Sequence, residues 1–158
     1  MATFSRHQAS IGNVGSYQVS GYPYITGSSI TTANTSAPAN RQHHYVFPKV
    51  AKSVTIIFTH GTAGTQDGGT TNVDTAGIRV HFNATGSGNV YSKNHYIELN
   101  AVDESITFNA KCTEIYVSRP DCEAAGDGAS TITYKIIAEL TNIPTGEMNP
   151  LTGSGLTE

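Results

Sequence analysis

The apolar residues of this chain recur at every second position and nowhere with the three-to-four spacing of a helix. In "TITYKIIAELT" (131–141), Ile132, Tyr134, Ile136, Ala138 and Leu140 fall on one side. Side chains alternate across a strand, whereas a helix needs a period of about 3.6 to gather its apolar residues into one stripe. The same alternation runs through "SYQVSGYPYITG" (16–27), "HHYVFPKV" (43–50), "KSVTIIFTH" (52–60) and "GIRVHFN" (77–83). It continues in "HYIELN" (95–100), "ESITFNAK" (104–111) and "TEIYVS" (113–118). About eight short strands without helices predict an all-β fold. The expected form is an antiparallel β-sandwich, with a jelly roll as one arrangement.

Interruptions refine this picture. Gly21 and Pro23 break the first strand, as an edge strand or a bulge allows. Pro48 is expected to end the second, and "KSVTIIFTH" is apolar on both faces, as a central, well-covered strand would be. Residues 27–42 read as a polar loop, 1–15 as an N-terminal arm and 142–158 as an irregular C-terminal tail, all within one domain spanning 1–158. Parity assigns Val54, Ile56, Phe58, Ile78, Val80, Phe82, Ile97 and Leu99 to the core. Ile106, Phe108, Ile115, Val117, Ile136 and Leu140 join them.

A chain of 158 residues is long enough for one core without staples. Charged residues make up only 13%, against about 25% in a typical domain. Hydroxyls and amides must therefore solvate the surface. A net charge of −3 with no Lys/Arg cluster argues against nucleic acid or an anionic membrane as partner. No window of 18 apolar residues spans a bilayer. The first residues lack the apolar core of a signal peptide. The glycosylation sequons at Asn34 and Asn83 then read as chance. Cys112 and Cys122 flank a strand-like run that would hold them roughly 25 Å apart at about 3.3 Å per residue. Free thiols and assembly in a reducing cytoplasm are expected.

The histidines invite a search for chemistry. In "GIRVHFN", Arg79, His81 and Asn83 lie opposite the apolar face and read as a solvated row, with Glu98 on the next strand as the cross-strand partner of Arg79. His95 shares the face of Ile97 and Leu99 and is expected to point inward, while His43 and His44 diverge. No metal site follows, since a fixed cation beside His81 disfavours another. No serine lies in a nucleophile elbow, and Glu98, Glu114 and Glu139 face outward. The acidic groups Asp121, Glu123 and Asp127, and Asp67, Asn72 and Asp74, match no calcium loop spacing. The chain is therefore expected to be no enzyme, with no catalytic residue, no cofactor and no metal. Tyr17, Tyr22 and Tyr24 cluster around the first strand and serve either packing or a protein interface.

Together "VGSYQVSGYPYITGSS", "GIRVHFN", "HYIELN…ESITFNAKCTEIYVS" and "IIAELTNIPTGEM…LTGSGLTE" resemble the small β-sandwich virion proteins of tailed bacteriophages, especially those of cyanophages and other marine phages. The resemblance runs along nearly the whole chain and rests on phrasing, not on a catalytic motif. It implies a decoration or cement subunit on the capsid surface, a homotrimer that binds the major capsid protein after assembly in the host cytoplasm. Phe4, Tyr17, Tyr22, Tyr24, Met148, Leu151 and Leu156 are the candidate interface anchors, isolated among flexible polar residues. The alternative is a carbohydrate-binding receptor module of a tail or fibre.

Overall fold

The computed structural model describes residues 21–32, 42–61, 77–84, 95–119 and 130–148. Phe4, Tyr17, Leu151, Leu156, the 1–15 arm, Cys122 and both groups of calcium candidates lie outside them. Within them the chain is almost wholly β. The strands are β1 (Pro23–Thr32), β2 (Gln42–Gly61), β3 (Ile78–His81), β4 (Ile97–Leu99), β5 (Ser105–Phe108), β6 (Cys112–Ser118) and β7 (Ser130–Leu140). A single 3-10 turn follows at Thr145–Glu147. Every pairing is antiparallel, and one sheet runs β1-β7-β2-β6-β3-β4, with β5 also paired to β2.

The length of β2 shapes everything else. Its second half, from Ala51, lies between β7 and β5, while its first half pairs with β6. Fully extended, the stretch from Tyr45 to Phe58 would span about 43 Å at about 3.3 Å per residue. Yet the Tyr45 hydroxyl lies 2.9 Å from that of Tyr134, the register partner of Phe58. The strand must therefore turn back over itself where its register shifts, between Val46 and Ala51. The sheet becomes two facing halves: β1, β7, the second half of β2 and β5 on one side, and the first half of β2, β6, β3 and β4 on the other. Edge-to-face contact between Phe82 and Phe108, at 5.3 Å, closes the same gap from β3 to β5.

The corner is held by the residues that follow β7. Val50 donates its N–H to the Ile143 carbonyl at 3.1 Å, and its own carbonyl accepts from both the N–H and the Oγ1 of Thr141 at 2.8 Å. These bonds satisfy a buried backbone that has left its ladder. Tyr24 packs edge-to-face on Phe47 across the corner at 5.4 Å. Gly21 lies so close to β7 that a Cβ there would occupy the position of the Leu140 carbonyl.

The all-β antiparallel expectation holds, and so does most of the core. Val54, Ile56, Phe58, Ile78, Val80, Leu99, Ile115, Val117, Ile136 and Leu140 are buried, and Phe82, Ile106 and Phe108 pack against them half-buried. Four expectations need correction. Ile97 is 41% exposed, at the start of a three-residue strand that ends the described strand order. Residues 27–32 are strand, not loop: β1 runs to Thr32, each residue opposite one of β7, since Ser and Thr tolerate a half-buried sheet face. Pro48 does not end a strand; it occupies the register shift, where no ladder N–H is required. The tail begins later than 142, because Ile143 is buried at the corner.

Candidate functional site

Each half of the sheet has an outward face, and the two differ in chemistry. On the half built from β2, β6 and β3, the register sets His44 opposite Tyr116 and Tyr116 opposite His81. Their rings form a ladder across three strands, with centroids 4.2 Å apart and 3° between planes for the first pair, and 5.7 Å and 8° for the second. At its open end His44 Nε2 lies 2.8 Å from Glu114 Oε2, both side chains well exposed. Its closed end is different. His81 is 1% exposed, so the outward row in "GIRVHFN" has the parity expected but is not solvated. Tyr116 covers one side of the imidazole, and both ring nitrogens are engaged.

The hydrogen bonds of His81 fix its protonation. Nδ1 lies 2.6 Å from the Asn83 carbonyl, which can only accept, so Nδ1 carries the proton. Nε2 therefore accepts from the Ser118 hydroxyl at 2.8 Å. Burial foremost, opposed by the hydrogen bond to the Asn83 carbonyl and helped by the Arg79 charge, brings the imidazole pKa down to about 4. Serine, histidine base and orienting carbonyl together have the pattern that activates a nucleophile. Here Ser118 is 0% exposed, so a substrate has no approach to its oxygen. No local pattern hints at this pair, because Ser118 ends a strand 37 positions from His81 and only the β3–β6 register brings them together.

Arg79 completes this face. Its Nε donates to Glu98 Oε2 at 2.8 Å, the cross-strand pair expected from parity, and its guanidinium lies 4.3 Å above the Tyr96 ring. On the inner side, His43 Nδ1 and Tyr45 Oη meet the buried Tyr134 hydroxyl at 2.7 and 2.9 Å, so His43 and His44 do diverge. Burial lowers the His43 pKa and raises that of Tyr134. Cys112 is a free, buried thiol whose pKa is pushed up to about 12 by burial and then by Glu114. Among the described residues no three His, Cys, Asp or Glu side chains gather to hold a metal ion.

The other outward face, on β1, β7, β2 and β5, is open. Hydroxyl pairs cross it: Ser29 with Thr133 at 2.9 Å and Thr55 with Thr107 at 2.8 Å. Ile25 and Ile137, register partners, stand uncovered at 70% and 38% exposure. A shallow groove of about 590 Å³ runs beside Ile137; the described residues that line it are Lys52, Ser53, Thr55, Thr107, Asn109, Lys111, Ile137 and Glu139, none of them aromatic. Lys52 and Glu139 approach to 3.5 Å at its rim. The double isoleucine of "KIIAEL" carried the signal for this patch, since one of two adjacent strand residues must face outward.

Of the three described interface candidates, Tyr22 is 65% exposed, while Tyr24 is spent on Phe47 and Met148 is half-buried. The open face joins Ile25 and Ile137, neither of which was among the expected anchors. No protein-family model matches this chain, and no curated protein matches it.

Proposed function

We propose that this chain is a structural virion subunit, a decoration or cement protein that binds the outside of an assembled phage head through its major capsid protein and associates with its own kind. The observation that carries this reading is the open outward face: a hydroxyl-rich sheet surface with Ile25 and Ile137 side by side and uncovered. Apolar groups on a hydrogen-bonded sheet are pre-ordered, so burying them against a lattice costs little further conformational entropy. Each contact is worth only about 25 cal/mol per Å² of apolar area, so binding per site is weak, and repetition over a lattice supplies the rest. The resemblance of the sequence to phage decoration proteins points the same way.

The receptor-module reading has less support. A sugar groove stacks pyranose rings on aromatic side chains, and among the described residues none lines the groove beside Ile137. Sedimentation of the purified protein with heads lacking it tests the proposal. Saturable binding is expected, weakened by Ile137→Ser without loss of fold. Indifference to assembled heads combined with retention of a glycan would overturn it in favour of the receptor module.

A further inference from the structure

The sheet has edges of unequal kind. β4 and β5 offer three and four residues, the first carrying Glu98 in its ion pair and the second preceded by Asp103 and Glu104. Short, charge-flanked edges discourage pairing with another chain. β1 is ten residues, "PYITGSSITT", without one charged side chain, and it ends the strand order.

The register tells which backbone groups that edge presents. Leu140 donates its N–H to the Tyr22 carbonyl at 3.0 Å, and the pairing continues without a shift from Pro23 opposite Glu139 to Thr32 opposite Ser130. Hydrogen-bonded and non-bonded pairs alternate in an antiparallel ladder, so the even-numbered residues of β1 bond β7. The odd-numbered ones, Pro23, Ile25, Gly27, Ser29 and Thr31, turn their backbone groups to the free edge. Pro23, which has no N–H to offer, sits in that outward set, as an edge requires. Among the described residues no strand takes up the remaining groups.

We propose that β1 pairs antiparallel with β1 of a second copy about a two-fold axis, joining two sheets into one. This does not depend on the capsid reading. One register uses every outward N–H: the axis passes between the two Ser28 residues, Ile25 faces Thr31, Gly27 faces Ser29, and each pair exchanges two bonds. Pro23 then falls outside the pairing. The edge is complementary to itself because it carries no charge to repel its copy and only a hydrogen beside the axis at Gly27. The result is an even-numbered assembly in place of the trimer that the sequence resemblance implies.

Ser29→Pro deletes an outward N–H while leaving the β1–β7 ladder whole, and Ser29→Lys sets two like charges beside the axis. Light scattering across a dilution series should show the unmodified chain as a dimer, with the dissociation constant raised about tenfold or more in each variant. Circular dichroism should be unchanged in at least one of them. Amide exchange at Ile25, Gly27 and Thr31 should be slow in the dimer and fast on dilution. A chain monomeric at every concentration, a trimer indifferent to both substitutions, or a dimer whose three amides exchange freely would overturn the proposal.

Discussion

On the outward face of β6 and β3, His81 and Ser118 are buried; on the outward face of β7 and β1, Ile137 and Ile25 are exposed. Both pairs occupy the same parity, opposite the core. Hydropathy alone would have assigned them the other way round. Long side chains make the difference. Tyr116 stacks on His81 and Arg79 extends between Glu98 and the Tyr96 ring, whereas the cross-strand neighbours of Ile137 are Thr55, too short to reach across it, and Ile25, itself exposed. Alternation dictates which way a residue points, and its neighbours' reach decides whether water follows.

The sharpest way to break this comparison begins with the inner face. Phe58→Ala should cost about 3–5 kcal/mol in urea unfolding, because the ring is 1% exposed among β7 and β2 side chains. A loss below about 0.5 kcal/mol would mean that the halves do not face one another.

Next comes the closed outward face, through pH. His81 titrates at about 4 when folded and near 6.5 when unfolded. Its folded pKa is depressed, so the neutral form is the one that folding favours. Above pH 6.5 it adds no pH dependence; as pH falls from 6.5 to 4, only the unfolded chain takes up the proton, and stability drops. The full gap is worth about 3 kcal/mol. His43, lowered by burial, acts in the same direction. His81→Gln should lower stability at pH 7 and remove most of the acid loss over that window. Equal pH slopes in both proteins would place His81 in solvent after all.

Smaller effects sharpen the contrast. Glu98→Gln should cost about 1 kcal/mol or less, since the Arg79 pair is only partly shielded. Ile137→Ser on the open face should change unfolding stability by less than about 0.5 kcal/mol. A larger destabilisation would show that the patch is covered by the protein itself and is not free for a partner.

Much of this architecture was legible in the residues. The inner faces of β7, of the second half of β2 at Val54, Ile56 and Phe58, and of β6 at Ile115 and Val117 follow from parity, because alternate residues there are buried and the period of two leaves no choice of register. The Arg79–Glu98 pair followed from the same rule. The bend in β2 did not, because it arises from bonds between Val50 and residues some ninety positions later, which no local pattern encodes. The buried Ser118–His81 bond escaped for a similar reason. Polar residues at the end of a strand read as solvated, and only the third strand shows that they are not. β1 ran past its expected end because Ser and Thr fit loops and half-buried strands equally well.

The central proposal, that this chain is a structural subunit of a phage head, is tested most directly by its copy number in purified particles of a phage whose genome encodes it. Quantitative mass spectrometry should return a fixed and large ratio to the major capsid protein, with antibody label spread over the head. A few copies confined to the tail, or none in the particle, would contradict it.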